Sequence, residues 1–198
     1  MTPVRPTLWL GLAGSAVVLG LTVAVVAWRR QARRMAVQMR DLSPAFSSFT
    51  PRTKPVRGIV IHHTVTGNPK ATQRVLENKK IGTHFEVAQD GQVIRYMDPA
   101  KYVVEASNWA NSQAIAIDLT HLSHAPWPEV QVAATAQLVA QLVDEFGLAP
   151  GVAPDGVRYA NWGQVPAGVG ILRHRNVHPT ECPQDFPMQR LGPVVPKL

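Results

Sequence analysis

The chain has a single cysteine, Cys182. No intrachain disulfide is possible, so the fold has to rest on its core and on any metal that its remaining donors can hold. Acidic residues are the scarcer charge, with 13 Asp and Glu against 20 Lys and Arg and a formal net charge of +7. The excess is concentrated: Arg29, Arg30, Arg33, Arg34 and Arg40 crowd one short stretch. That clustering suits a membrane surface. No signature of a nucleic-acid module accompanies it, so DNA or RNA is not an expected partner. Internal repeats are absent, and 198 residues with 45% hydrophobic content accommodate one domain of ordinary size plus an extension.

Residues 7–28 lack charge altogether and are rich in Leu, Val, Ala and Gly, with Trp9 and Trp28 near the ends. This is long enough to cross a bilayer, and tryptophan favours the interfaces. The competing reading is a cleaved secretory signal with Arg5 as its basic region and Val25-Val26-Ala27 at the cleavage site. Its apolar core is longer than usual for a signal, and arginines follow at once, which favours an uncleaved anchor. Residues 41–57 carry Ser43-Pro44, Ser47-Ser48, Thr50-Pro51 and Lys54-Pro55 and read as a tether. The expected organisation is a short tail at 1–6, an anchor at 7–28, a basic juxtamembrane segment and linker at 29–56, and a domain at 57–198.

Within that domain strands and helices alternate. Residues 58–62 form an apolar, β-branched run typical of a buried strand. Asn68-Pro69 supplies an N-cap and a first-turn proline for a helix to about Lys79. Strands at 84–88 and 92–97 flank Asp90-Gly91, a strong hairpin signal. Another strand is expected at 114–119. An amphipathic helix follows at 128–146, with Val132, Ala136, Val139, Val143 and Phe146 near one face and Gly147 closing it. Residues 148–170, rich in Gly and Pro, read as a surface loop in which Tyr159 and Trp162 are candidates for a substrate wall. Ile171-Leu172-Arg173 is a short strand leading into His174.

Three residues carry the strongest chemical signal: His62, His174 and Cys182. Imidazole nitrogen and thiolate sulfur are preferred zinc ligands, and three protein ligands leave the fourth position that a catalytic zinc needs. Other readings stand beside this one. A strand can end in a core histidine, a lone cysteine often acts as a small buried hydrophobe, and generic His/Cys zinc spacings are much tighter than these.

The words around these residues resemble the zinc-dependent N-acetylmuramoyl-L-alanine amidases, the group that includes phage amidase-type lysozymes and peptidoglycan-recognition proteins. Four segments match in order: the strand ending in His62-His63-Thr64; Ile81-Gly82-Thr83-His84-Phe85-Glu86-Val87 with Asp90-Gly91; Asn111-Ser112-Gln113-Ala114-Ile115-Ala116-Ile117-Asp118-Leu119; and the stretch from His174 to Cys182-Pro183. The resemblance spans roughly residues 57–186. It implies an α/β fold with a mixed central sheet flanked by helices, here behind an N-terminal transmembrane helix. It further implies a Zn2+ ion held by His62, His174 and Cys182, and peptidoglycan or muropeptides as partners.

Hydrolysis also needs a group that moves protons between water and the leaving amine. The resemblance points to Asp118, which stands where many members carry a catalytic glutamate, and a carboxylate in an apolar strand needs a reason to be there. Thr83 occupies the position of a tyrosine used by other members, and Glu105 that of a substrate-facing histidine. Thr83, Glu105 and Asn111 are accordingly expected toward the substrate. Thr180 stands where relatives have lysine or threonine and is expected either to contact the substrate carbonyl or to stabilise its loop. His84 is expected to support the site without binding metal, and His121, His124 and His178 to be surface or loop residues. The implied activity is cleavage of the bond between N-acetylmuramic acid and L-alanine, and the alternative is a weakly catalytic or non-catalytic peptidoglycan-binding module on the same fold. An enzyme of the cell wall belongs outside the plasma membrane. The arginines after residue 28 pull the domain inward by the positive-inside rule, where some relatives process recycled wall fragments. The expected placement is a single-pass, membrane-anchored protein with its domain extracytoplasmic.

Overall fold

The computed structural model describes residues 39–42, 50–79, 81–104, 109–122 and 125–193. The expected anchor at 7–28, the arginines at 29–34, Glu105 and His124 lie outside the described residues. Among the described residues no helix is long and apolar enough to cross a membrane.

The strands are β1 (Met39–Asp41), β2 (Thr50–Pro51), β3 (Gly58–Val65), β4 (Phe85–Val87), β5 (Val93–Arg95), β6 (Tyr102–Val103), β7 (Ala114–His121), β8 (Gly151–Val152) and β9 (Val169–Arg173). The helices are α1 (Pro69–Lys79), α2 (Glu129–Phe146) and the single turn α3 (His174–Val177). Seven strands make one sheet in the order β1-β5-β4-β7-β3-β9-β8. Its pairings are parallel except for the β4–β5 hairpin, so the mixed α/β architecture is as expected.

Sequence dictates the centre of this sheet. β3 and β7 are near-continuous runs of Ile, Val and Ala, the composition of strands covered on both faces. On one face Ile59, Ile61, Ile115, Ile117, Leu119, Phe85 and Val87 pack against Val132, Leu138, Val139, Leu142 and Val143 of α2. Gln131 pins that helix to the sheet by donating from Nε2 to the carbonyls of Val87 (2.9 Å) and Thr120 (2.8 Å). The other face holds a smaller cluster of Val60, Ala114, Leu172, Tyr159, Trp162 and Val177.

Both central strands overrun their expected ends. β3 continues past His62 to Val65 because Thr64 and Val65 keep their ladder with Thr120 and His121. His62 therefore lies inside a strand and not after one. The helix expected after Asn68 is α1, capped by Asn68 Oδ1 accepting from the Ala71 N–H at 3.0 Å. The hairpin turns at Asp90-Gly91, where Gly91 takes a left-handed φ of 84° and Asp90 Oδ1 accepts from the Gln92 N–H.

Two segments read as open chain are tied down. Thr50–Pro51 pairs with β6, and the Arg52 guanidinium donates to the carbonyls of Pro99, Ser112 and Ala114 at 2.7–3.1 Å. The end of the expected tether is thus built into the domain. Within 148–170, Tyr159 and Trp162 are only 6% exposed and pack inward. A Cβ on Gly58 would fall 2.5 Å from the Trp162 ring, which shows how closely that indole covers β3. These rings are core, and the substrate-wall expectation for them is corrected: large apolar surfaces settle against the nearest uncovered sheet face.

Candidate metal centre

The parallel register sets the site. Glu86 of β4, Asp118 of β7 and His62 of β3 lie side by side in one row across three strands. Partnered residues of adjacent strands share a face, so the three side chains project together. On the far side of β3, Ile61 pairs with Arg173, the last residue of β9, and His174 follows it as the chain turns into α3. The His62 and His174 rings come to 4.3 Å between centroids. Asn176 holds this turn, accepting from the Arg173 N–H (2.8 Å) and donating to the carbonyls of Pro154 and Val157.

Cys182 arrives from the loop beyond α3. Its carbonyl accepts from the Arg175 N–H at 2.9 Å, its N–H donates to Thr180 Oγ1 at 3.3 Å, and its Sγ accepts from the His63 N–H at 3.1 Å. One ligand atom from each of His62, His174 and Cys182 lies within 4.8 Å of the others, and among the described residues this is the group suited to holding a metal ion.

Electrostatics suit the same purpose. Burial, with smaller contributions from the His174 and His63 rings, holds the His62 imidazole well below its ordinary pKa. Burial and the neighbouring His178 and His63 bring His174 to about 4. Both imidazoles are therefore neutral near pH 7, the form that donates a lone pair. Burial pushes the Cys182 thiol up to about 12, against the lowering effect of the His63 N–H. A buried thiolate needs a cation beside it, and two neutral imidazoles with one thiol are a donor set that fits Zn2+.

Asp118 is 8% exposed, and its pKa is raised to about 7, first by burial and then by the charge of Glu86, with a hydrogen bond from Thr83 opposing. Glu86 is fully buried. The Tyr96 hydroxyl donates to its Oε2 at 2.6 Å and the Thr120 hydroxyl donates to its Oε1. Sequence reasoning missed Glu86, although the argument applied to Asp118, a carboxylate in an apolar strand, applies equally to Phe85-Glu86-Val87.

The remaining expectations divide. Thr83 is fully buried, and its hydroxyl, 3.0 Å from the Phe85 carbonyl, 3.4 Å from that of Ala116 and close to Asp118, shares its one proton among these acceptors and does not face a substrate. Asn111 is not brought to the metal group. It precedes β7 at the opposite end of the strands, and Ala114 alone is about 13 Å from Asp118 at about 3.3 Å per residue. Thr180 Oγ1 accepts from the Cys182 N–H at 3.3 Å, a contact that stabilises the loop beside the donor group. His84 supports the sheet: its Nδ1 accepts from the Ala116 N–H (3.0 Å), leaving Nε2 to donate to the Tyr102 carbonyl (3.1 Å). His178 is exposed, as expected of a loop residue. His121 is not a surface residue, because β7 runs on to include it and its ring is buried against Trp127 at 3.7 Å.

The family model described as N-acetylmuramoyl-L-alanine amidase matches residues 52–185. No curated protein matches the chain by sequence. Solved structures share the fold. The amidase LysC from Clostridium intestinale URNW superposes with a TM-score of 0.56 at 20% identity, covering 78% of this chain and 94% of that one. The Ph2119 endolysin from a Thermus scotoductus MAT2119 bacteriophage gives 0.54 at 20% identity, covering 83% and 96%. A mutant of the Drosophila peptidoglycan-recognition protein PGRP-LB, in complex with tracheal cytotoxin, gives 0.52 at 17% identity, covering 75% and 89%.

Proposed function

Because this chain belongs to the N-acetylmuramoyl-L-alanine amidase family, we propose that it is a zinc-dependent hydrolase of the amide bond between N-acetylmuramic acid and L-alanine, in peptidoglycan or its fragments. The observation that carries this reading is the convergence of His62, His174 and Cys182, with Asp118 beside His62 on the same sheet face. Zinc held by the three donors would supply a Lewis acid that polarises the amide carbonyl and makes a water molecule more acidic.

The chain's own residues supply the rest. Burial and the charge of Glu86 raise the proton affinity of Asp118 above that of an ordinary aspartate, which suits it to take up a proton and give it back. Its carboxylate accepts a proton from the attacking water as the new carbon–oxygen bond forms. The resulting acid returns that proton to the L-alanine nitrogen as the carbon–nitrogen bond breaks. Glu86, fixed by the Tyr96 and Thr120 hydroxyls, is after burial the next cause that raises the affinity of Asp118 for protons. Asn176 and the His63 N–H hold His174 and Cys182 in place, which preorganises the donors.

A second reading, binding without cleavage, draws on the tracheal-cytotoxin complex of PGRP-LB. Retention of all three donors weighs against it. We further read residues 7–28 as a membrane anchor, with the domain on the side where peptidoglycan lies. The test is to incubate the full-length protein with defined muropeptides, with and without zinc, and weigh the products. Zinc-dependent release of the stem peptide is expected, whereas muropeptides retained intact by the protein would favour the binding module.

A further inference from the structure

Cys182 comes from a loop, whereas His62 lies in β3 and His174 directly follows β9, so the position of Cys182 has to be held by contacts outside the donor set. On one side α3 and Thr180 hold its backbone. On the other stands Trp127, in the connection between β7 and α2. Its indole stacks on His121 at 3.7 Å and 13°, and meets the His63 ring edge-on at 6.5 Å and 79°. Phe186 meets it edge-on at 4.9 Å and 86°. Its Nε1 donates to Asp185 Oδ1 at 3.0 Å.

One ring thus touches the ends of β3 and β7 together with the loop that follows Cys182. The contact with His63 matters most, because the backbone N–H of His63 donates to Cys182 Sγ. Both nitrogens of the His63 ring are buried without a hydrogen-bond partner, which leaves packing against Trp127 to orient it. His63 alternates with His62 along β3, so Trp127 lies on the α2 side of the sheet, away from the face shared by His62 and Asp118.

We propose that Trp127 is a positioning residue for the Cys182 thiolate, bracing His63 and holding Asp185 and Phe186 so that the sulfur stays aimed at the two histidines. This rests on the reading of His62, His174 and Cys182 as a metal site. Outer contacts of this kind change metal affinity by about 10–100-fold when removed. Trp127 does so without touching substrate.

The test uses the full-length protein in detergent and measures zinc affinity by competition with a chromogenic chelator, beside the thiolate-to-cobalt absorption of the Co2+ form. Trp127→Leu is expected to weaken zinc by about 10–100-fold and to diminish the cobalt–thiolate band. Trp127→Phe keeps the ring and loses the N–H, and is expected to fall between Trp127→Leu and wild type. Asp185→Asn retains an oxygen acceptor and should stay near wild type, while Asp185→Ala should match Trp127→Phe. Trp109→Leu controls for the loss of a large ring elsewhere, since Trp109 packs against Trp162 in the other cluster, and it should leave both readouts unchanged. Wild-type affinity and an intact cobalt band in Trp127→Leu would overturn the proposal while leaving the metal site standing. If Trp127→Leu does not fold, Trp127→Phe and Asp185→Ala decide, and unaltered readouts in both overturn it. A wild-type protein that binds no metal would overturn the site and this role together.

Discussion

Glu86 and Asp118 are partners in the parallel ladder between β4 and β7, two buried carboxyl groups side by side with His62 next in the row. Two carboxyls this close do not readily ionise together: the Tyr96 and Thr120 hydroxyls hold Glu86 in place, and its charge is, after burial, the next cause of the raised Asp118 pKa. Glu86→Gln removes that charge and should lower the pKa of Asp118. If activity requires the Asp118 carboxylate, the acidic limb of the kcat/KM profile moves to lower pH in this variant. A pH–rate profile measured with zinc-saturated protein checks the direction.

Asp118 itself should dominate turnover. Asp118→Asn retains shape and hydrogen bonding but cannot accept the proton, so kcat falls by about 10²–10⁴ with zinc content unchanged. Asp118→Glu, which restores the residue common in the family, should keep more activity than Asp118→Asn. Single-turnover assays on protein of verified zinc content distinguish these outcomes from loss of metal.

The same aspartate costs stability. Its folded-state pKa is raised from 3.8 to about 7, so its ionisation opposes folding, and stability is lost as pH rises between those values. In metal-free protein, Asp118→Asn should be the more stable at pH 8, by at most about 4 kcal/mol at 1.36 kcal/mol per unit. The advantage should vanish below pH 4. Urea unfolding of both proteins across this range measures it.

Zinc binding near pH 7 should release the Cys182 thiol proton, because both imidazoles are already neutral, and a fraction of a second proton from Asp118, whose carboxylate the nearby cation favours. Affinity should therefore rise with pH. Calorimetry in buffers of different ionisation enthalpy counts the protons, and His62→Ala, His174→Ala and Cys182→Ala should each lower zinc content severely.

Membrane attachment through residues 7–28 is checked by fractionation: the full-length chain should remain with membranes after a salt wash. A shortened chain intended to be soluble should begin before Met39. Met39–Asp41 forms an edge strand on β5, and Asp41 pairs with Arg95 there.

Local chemistry made much of this protein legible in advance. The capped helix after Asn68, the Asp90-Gly91 turn and the apolar strands are set by residues within a few positions of one another. The identities of His62, His174 and Cys182 could be read because each residue type carries its donor chemistry wherever it stands. Other features are properties of register and packing between distant segments. Only the ladder of β4 on β7 sets Glu86 beside Asp118, and only the further rungs of the β3–β7 ladder carry His121 under Trp127. Only the packing of 159–162 onto β3 turns two loop aromatics into core. Thr83 and Asn111 belong to the same nearby words as the site residues, yet strand direction buries one close to Asp118 and leaves the other at the far end of the sheet. Sequence determined which groups could act. The parallel register of β4, β7, β3 and β9 decided which of them meet, because alternation along a strand and pairing across strands are set by contacts that no short stretch of chain contains.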